Sequence, residues 1–419
     1  MKKALRVVSV LLLTAVLFLS IGCKKQEEEI VLQWPCIWVA QDSKAATVEA
    51  LVNQFNTDNA GKIKVVIEPN PDYDGYRQKI NTMMAAGEVP DLFVFNPDPT
   101  QFSFYEGDLL MDFSDDLKGD WGKDFSEGTI AASTRGGRTK SIPYELALTP
   151  IWYNTALFEK AGVGEFPKTF EAFWSACEKL KAIGVVPMSQ MTGGTNAWTS
   201  MLWYSHIMAS IGGPDVWSKP LSDPAYVQAA EILLRLYADG NTTKDAVGAG
   251  PGDSSGHYLA QDTAMFINGP WYIGAAKKNA PEVHAATAVA PAPAVEGGQY
   301  GAQIGFLLSN LAAGNTDDPA RREAVLKFMK WMTAPENVKK ISMAAGSLFC
   351  IKFEFGAGDS VDPLQQKFIE ASAAASFITS HLAANYKTEV VQEFGQALGA
   401  MALGKATPEE FVEMLQAKN

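Results

Sequence analysis

The chain has 419 residues and a formal net charge of −12, with 47% hydrophobic and 20% charged residues. That hydrophobic share sustains a packed core and excludes general disorder, and the length corresponds to two or more domains. The acidic balance argues against nucleic acid as a partner, because phosphate backbones are held by basic patches.

Lys2, Lys3 and Arg6 precede an apolar run from Val7 to Leu19, and the string Leu19-Ser20-Ile21-Gly22-Cys23 follows. A basic start, an apolar middle and small residues before a cleavage point make a secretory signal, expected over residues 1–22. The string resembles a bacterial lipobox, with Ser20 where such motifs usually carry Leu. It implies lipidation of Cys23 and a mature chain tethered outside the cytoplasm. The competing readings are an ordinary signal peptide and an uncleaved anchor, although the run is shorter than the roughly 20 residues that span a bilayer. Residues 23–29 read as a charged tether.

Ile30 to Trp34 reads as a strand. Ser43 is a candidate cap for a helix whose apolar positions are Val48, Leu51, Val52 and Phe55. A strand follows at Ile63 to Ile67, then a helix with Tyr73, Tyr76, Ile80 and Met83 on its apolar face, ending near Gly87. Leu92 to Phe95 is a buried strand between Pro90 and Pro97. The order strand, helix, strand, helix, strand predicts α/β architecture with a mostly parallel sheet. The pattern resumes with a strand at Ile151 to Tyr153 and a helix that Thr169 caps, with Phe170, Phe173, Trp174, Cys177 and Leu180 on one face. Later stripes run through Tyr226, Ala229, Ala230, Leu233 and Leu236, through Val325, Phe328, Met329 and Met332, and through Phe411 to Leu415. Ala264 to Ile267 and Thr287 to Ala290 are short strands. Of the four cysteines, Cys36, Cys177 and Cys350 remain after Cys23. Three cannot all pair within one chain, and a Cys36–Cys350 bridge has no sequence support. His206, His257, His284 and His381 are scattered and predict no metal site.

Several strings occur in a telling order. They are Ala85-Ala86-Gly87-Glu88-Val89-Pro90-Asp91-Leu92, Gly107-Asp108-Leu109-Leu110-Met111-Asp112-Phe113, and Ile142-Pro143-Tyr144-Glu145 with Trp152-Tyr153-Asn154. Further on come Leu157-Phe158-Glu159-Lys160-Ala161-Gly162, Pro167-Lys168-Thr169-Phe170, Asp262 to Trp271, and Gly404 to Glu410. Together they resemble the extracellular solute-binding proteins of ABC importers, in the sugar-binding group (family 1) that includes maltose-binding protein. The resemblance covers nearly the whole mature chain. It implies a two-lobed, type II periplasmic-binding-protein-like fold, each lobe a mostly parallel sheet flanked by helices, joined by hinge crossovers. Lobe 1 is expected at 30–143 and 290–346, and lobe 2 at 144–289 and 347–419. The crossings are expected near Pro143 to Glu145, Ala288 to Ala290 and Ser347 to Ile351.

A sugar offers hydroxyls around its rim and C–H groups on its faces. Its site needs flat aromatics with Asp, Glu and Asn between them. Such ligands sit beyond the carboxyl ends of the strands. The candidates are Trp38 as a wall with Asp42 and Ser43 after the first strand, then Asn96 and Asp98, and Tyr144 with Glu145 at the first crossing. Asn196 and Trp198 in a glycine-containing loop, and Asn268 with Trp271, complete the main set, with Gln303, Asn385 and Tyr386 weaker. The resemblance places Glu145 at a sugar-contacting position and Trp271 at the family's stacking aromatic.

The leading reading is a monomeric, non-enzymatic receptor that needs no cofactor. It captures a mono- or oligosaccharide and delivers it to ABC permease subunits in the membrane. A binding protein for a polyamine or another non-sugar solute, a glycoside hydrolase using Glu145 with Asp42 or Asp98, and a structural adhesin are the competing classes. No Gly-x-Ser-x-Gly elbow or P-loop string is present.

Overall fold

The computed structural model describes residues 28–126, 128–192 and 197–419; the expected signal and Cys23 lie outside them. β1 (Ile30–Cys36) and β2 (Ile63–Pro69) pair in parallel, from Ile30↔Ile63 to Cys36↔Pro69. The helix between them, Ala45–Asp58, buries the expected stripe of Val48, Leu51, Val52 and Phe55. Ser43 does not cap it. The carboxylate of Asp42 instead accepts from the Lys44 N–H at 2.8 Å, and Lys44 occupies the cap position. The helix Tyr73–Ala86 buries Tyr76, Ile80 and Met84, and it ends at Gly87 in the left-handed region. β3 (Phe93–Phe95) is fully buried.

Two strands organise the middle of the molecule. β4 (Ser141–Leu148) and β9 (Ala302–Ala312) run antiparallel from Ser141↔Ala312 to Leu148↔Gly305. At one end they join a core that includes Trp34, Phe55, Phe93, Tyr144, Leu311 and Phe328. At the other they meet cores built from residues 148–304 and 364–415. The second body has its own sheet in the order β6 (Val186–Met188), β7 (Thr263–Ile267), β5 (Ile151–Asn154), β8 (Thr287–Ala290). β10 (Leu348–Phe349) lies against β4, and β11 (Phe377–Thr379) lies parallel to β9.

The α/β class holds, with sheets more mixed than expected. The pairs β1–β2, β6–β7 and β9–β11 are parallel, whereas every pair made by β4 or β5 is antiparallel. The core assignments also move two lobe boundaries. Ala290, Ala292, Val295, Ala302 and Ile304 pack with the second body, so the second passage between bodies runs along β9 rather than at Ala288 to Ala290. Phe349, Cys350 and Ile351 pack with the first body, which puts the third passage after them, before Leu364. The reason is physical: β8 hydrogen-bonds to β5 inside the second sheet and is not free to cross.

Thr169 Oγ1 accepts from Ala172 N at 3.3 Å and caps the helix Phe170–Ala182, which buries Phe170, Phe173, Cys177 and Leu180 and leaves Trp174 half-buried. The other expected stripes are buried in the helices Pro224–Tyr237, Pro319–Met332 and Pro408–Gln416. Cys36, Cys177 and Cys350 are buried and unbridged. Burial pushes the thiols of Cys36 and Cys177 up to about 12, which leaves them inert. Among the described residues, no helix is long and apolar enough to cross a membrane.

Gly346 closes the helix Pro335–Ala345 with φ +77°, and a Cβ there would fall 2.6 Å from Ile273 Cβ of the other body. Gly346→Ala meets both the backbone penalty and the clash, so it should lower unfolding free energy by about 1–3 kcal/mol, read by urea denaturation.

Candidate functional site

One edge of β9 pairs with β4. The opposite edge pairs with β11 at Ala302–Ile304 and with β3 at Asn310–Ala312. Between those two stretches, Gly305 to Ser309 meet no strand on that edge among the described residues. This leaves a gap of about 16 Å at ~3.3 Å per residue. Residues 305–308 are half-buried while their flanks are buried. An open strand edge presents unpaired N–H and C=O groups. Here that stretch, the floor of the passage, runs from the core of one body to that of the other.

The register along this floor slips twice. Pro143↔Asn310 followed by Glu145↔Ser309 leaves Tyr144 unopposed, and the next pair, Leu146↔Leu307, leaves Leu308 unopposed. Bulges re-aim side chains. Tyr144 enters the first core, fully buried, with its ring centroid 5.3 Å from Trp38 and 5.1 Å from Phe349, and its hydroxyl donates to Met332 O at 3.2 Å. Glu145 is 2% exposed, accepts from Ser309 Oγ at 2.8 Å through Oε2, and holds Lys44 Nζ 3.2 Å from Oε1. Lys44 Nζ also lies 3.6 Å from Asp42 Oδ1. Burial acts to lower the Lys44 pKa, but the charges of Glu145 and Asp42 outweigh it, and the ammonium titrates above its ordinary range.

Asn96 follows Phe95, the partner of Asn310, so Asn96 and Glu145 flank Ser309 from either side, about 10 Å apart at two strand spacings. Asn96 Oδ1 accepts from the Tyr73 hydroxyl at 2.8 Å, and its buried Nδ2 has no partner. Asp98 caps a short helix by accepting from Gln101 N at 2.9 Å and pairs with Arg77 at 2.8 Å. At the β11 end of the gap, aromatics gather. The Trp198 ring lies 6.4 Å from Trp271, 5.4 Å from Phe306 and 5.5 Å from His381, and Phe306 lies 4.2 Å from His381. Trp198 and Trp271 are both half-buried. A Cβ on Gly269 would fall 2.1 Å from the Trp271 ring, so only glycine lets the indole lie there. Burial lowers the His381 pKa to about 3, so its ring is neutral at physiological pH.

The structure places Asp42, Asn96 and Glu145 near the Asn310 end of the open stretch of β9, and Trp198 and Trp271 beside Phe306 toward the other end. It removes others. Trp38 is 1% exposed and packs edge-on to Trp34 at 6.0 Å, so it is core and not a wall. Tyr144 is core for the bulge reason given above. Asn268 shapes a turn, with Oδ1 accepting from Gly269 N at 2.8 Å and its carbonyl accepting from Trp152 Nε1 at 2.8 Å. Ser43 backs onto Gly274 of the other body, where an added Cβ would come within 3.0 Å of Ser43 Cβ. Asp98 is occupied by its cap and ion pair. Gln303 is fully buried, with an amide that makes no hydrogen bond, at a position in β9 whose parity is opposite to that of Phe306. Asn385 and Tyr386 serve their own segment: Asn385 donates to Ser380 and His381, and Tyr386 contacts the Tyr226 hydroxyl. Asn196 lies outside the described residues. Sequence reasoning missed Lys44, Phe306 and His381. The Asp42-x-Lys44 spacing after a strand was the available signal for Lys44; the two rings carried none.

Two α/β bodies with strands passing between them, and polar and aromatic side chains beside an unpaired strand edge at the passage, define a two-lobed solute-binding protein. Residues 40–339 match the family model of bacterial extracellular solute-binding proteins, and the chain belongs to that family. The family consists of substrate-binding proteins and is extracytoplasmic. The diacetylchitobiose-binding protein DasA of Streptomyces coelicolor is 27% identical over 62% of this chain and 57% of its own length. The alignment therefore spans just over half of that relative. The multiple sugar-binding protein of Streptococcus mutans is 23% identical over 73% of this chain and 72% of its own. A chitin oligosaccharide binding protein of known structure superposes with a TM-score of 0.83 at 21% identity, covering 93% of this chain and 98% of its own. A maltose-bound T. maritima protein superposes at 0.76 with 19% identity, over 93% of this chain and 98% of its own. The fold is the type II periplasmic-binding-protein-like one.

Glu145→Gln should cost about 3 kcal/mol of stability, because it leaves a buried ammonium short of its partner. Combining it with Lys44→Met should cost less than the sum of the two single changes in a denaturation cycle.

Proposed function

We propose that this chain is the receptor of an ABC importer for a mono- or oligosaccharide, lipid-anchored at Cys23 and working as a monomer with membrane permease subunits. Its lobes would be residues 30–146 with 307–353, and 148–306 with 364–419. They would close on the ligand by hinge motion along β4, β9 and the passage after Ile351. The observation that carries the reading is the pairing of an aromatic group, Trp198 with Trp271 beside Phe306, with buried polar groups toward the other end of the open stretch of β9, Asn96 on its open edge and Glu145 on β4 across Ser309. Flat rings suit the C–H faces of a sugar, and the carboxylate and amide suit its hydroxyls. Relatives named for diacetylchitobiose, maltotriose and multiple sugars support the same class.

The buried lysine decides against a polyamine. Lys44 neutralises Glu145 and Asp42, and Arg77 holds Asp98, so the carboxylates that would surround a cationic ligand are already paired. The same pairing removes support for a glycoside hydrolase, since Glu145 and Asp42 share one ammonium and do not stand apart across open space. The lipid anchor rests on the string ending at Cys23 and on the extracytoplasmic family.

A thermal-shift screen with maltotriose, diacetylchitobiose, raffinose, spermidine and divalent metals tests the class. A true ligand at 100 times its Kd stabilises by roughly 2.7 kcal/mol. The expected result is a shift with one or more carbohydrates only; a shift with spermidine alone would reverse the reading. With the responding sugar, Trp271→Ala should weaken binding by about 1–3 kcal/mol in calorimetry, and unchanged affinity would remove Trp271 from the site.

A further inference from the structure

Tyr73 begins the helix Tyr73–Ala86, and its spacing placed it with the core stripe. Instead it is 42% exposed, the one aromatic among the large hydrophobic residues that stand exposed in the described chain. It is nonetheless fixed. Its hydroxyl donates to Asn96 Oδ1 at 2.8 Å, and the Arg77 guanidinium sits 6.0 Å from the ring centroid. Arg77 is itself held by Asp98 at 2.8 Å. Tyr73, Asn96, Asp98 and Arg77 thus form a closed set of contacts at the ends of β2 and β3. Burial raises the Tyr73 hydroxyl to about 12, while a large part of the residue stays open. The hydroxyl is held against Asn96 while the ring keeps a solvent-facing side. Asn96 adds a second indication, because its Nδ2 is buried beside this ring with no partner.

Asn96 stands at the Asn310 end of the open edge of β9, and Glu145, across Ser309 from it, is among the charges that act on Tyr73. The aromatic group of the second body stands at the other end, around Phe306. With Trp38 in the core, Tyr73 is the exposed aromatic that the first body brings to the gap.

We propose that Tyr73 is the stacking surface of the first body, a pre-set ring on which one face of a sugar lies, with Asn96 donating to a hydroxyl at its rim. The proposal rests on the sugar reading. A ring held by its hydroxyl, with a guanidinium beside it, loses little freedom when a ligand covers it, so its exposed face converts efficiently into affinity. The side chain selects for a ligand long enough to reach from the Trp198–Trp271 group to the first body. Losing it should therefore weaken longer oligosaccharides more than short ones.

Calorimetry on the full chain with maltose, maltotriose, diacetylchitobiose and raffinose tests this, comparing wild type, Tyr73→Phe, Tyr73→Ala and Trp271→Ala. Thermal unfolding without ligand confirms that each variant folds. Tyr73→Ala should raise Kd about tenfold for the best oligosaccharide, and Tyr73→Phe, which keeps the ring, should stay within about threefold of wild type. Weakening by Trp271→Ala with Tyr73→Ala unchanged overturns the Tyr73 assignment alone. If none of these sugars binds wild type, the sugar reading falls, and this assignment with it. Equal loss in Tyr73→Phe and Tyr73→Ala overturns stacking in favour of a purely polar role for the hydroxyl.

Discussion

The molecule depends on β9 having different neighbours at its two ends. The strand is 11 residues long and pairs with β4, but its other edge passes from β11 in one body to β3 in the other. The two bodies share the β4–β9 pair, while β11 and β3 flank the other edge of β9 only at its two ends. Among the described residues, no strand pairs the stretch between them. Elsewhere such an edge is an aggregation liability. Here its residues 305–308 are half-buried where the strand passes from one core to the other. The open stretch follows from the way the two cores are joined.

The paired bulges at Tyr144 and Leu308 do the next step. They turn successive residues of β4 to different tasks, sending an aromatic into the first core and a carboxylate to Ser309 and Lys44. A buried ion pair is weak evidence for stability, since desolvation offsets most of the attraction. Its position gives it another use. It fixes the orientation of Glu145 before ligand arrives, and it leaves the floor with little net charge. Under the sugar reading, a neutral, hydroxyl-rich solute would meet pre-oriented acceptors there without bringing an unpaired charge between the bodies. The acidic surface of the chain as a whole therefore says little about the charge of its ligand.

Much of the fold was legible in the sequence because burial follows period. Val48, Leu51, Val52 and Phe55 at helical spacing, and the tripeptide Phe93–Phe95 between prolines, had one sensible reading each. The crossings were less legible. β8 and β9 both look like short apolar strands, and only their partners reveal that one closes a sheet while the other leaves it. Trp271 was singled out by its resemblance to the family's stacking aromatic, and its indole lies over Gly269. The site was misread where environment decides. Trp38 and Tyr73 are both aromatics near strand ends, and the one expected to line the cleft is core, while the one expected in the core is exposed. A helical stripe assigns a face only for residues inside the helix. Tyr73 is its first residue, and the bond to Asn96 sets its direction.

Beyond the shared strands and the buried Gln365 amide, which donates across the bodies to Ser342 O at 3.1 Å and Ser342 Oγ at 2.9 Å, the polar contacts at the rims are partly exposed ones. The Thr100 and Thr388 hydroxyls meet at 2.5 Å on one side, and Lys278 reaches Gln41 at 3.2 Å on the other. Contacts of that kind, half-exposed and between long or small polar side chains, contribute at most about 1 kcal/mol each. That is too little to hold a hinge shut, since moving an equilibrium from 1:99 to 99:1 takes about 5.5 kcal/mol. The balance has to come from whatever bridges the gap over β9. A ligand does so only by touching both bodies at once, because contacts confined to one lobe bind equally in either arrangement and shift nothing. Under the sugar reading, the aromatic group at one end of the open edge and the polar group at the other are therefore a single device. Each supplies affinity, and only their joint engagement favours closure.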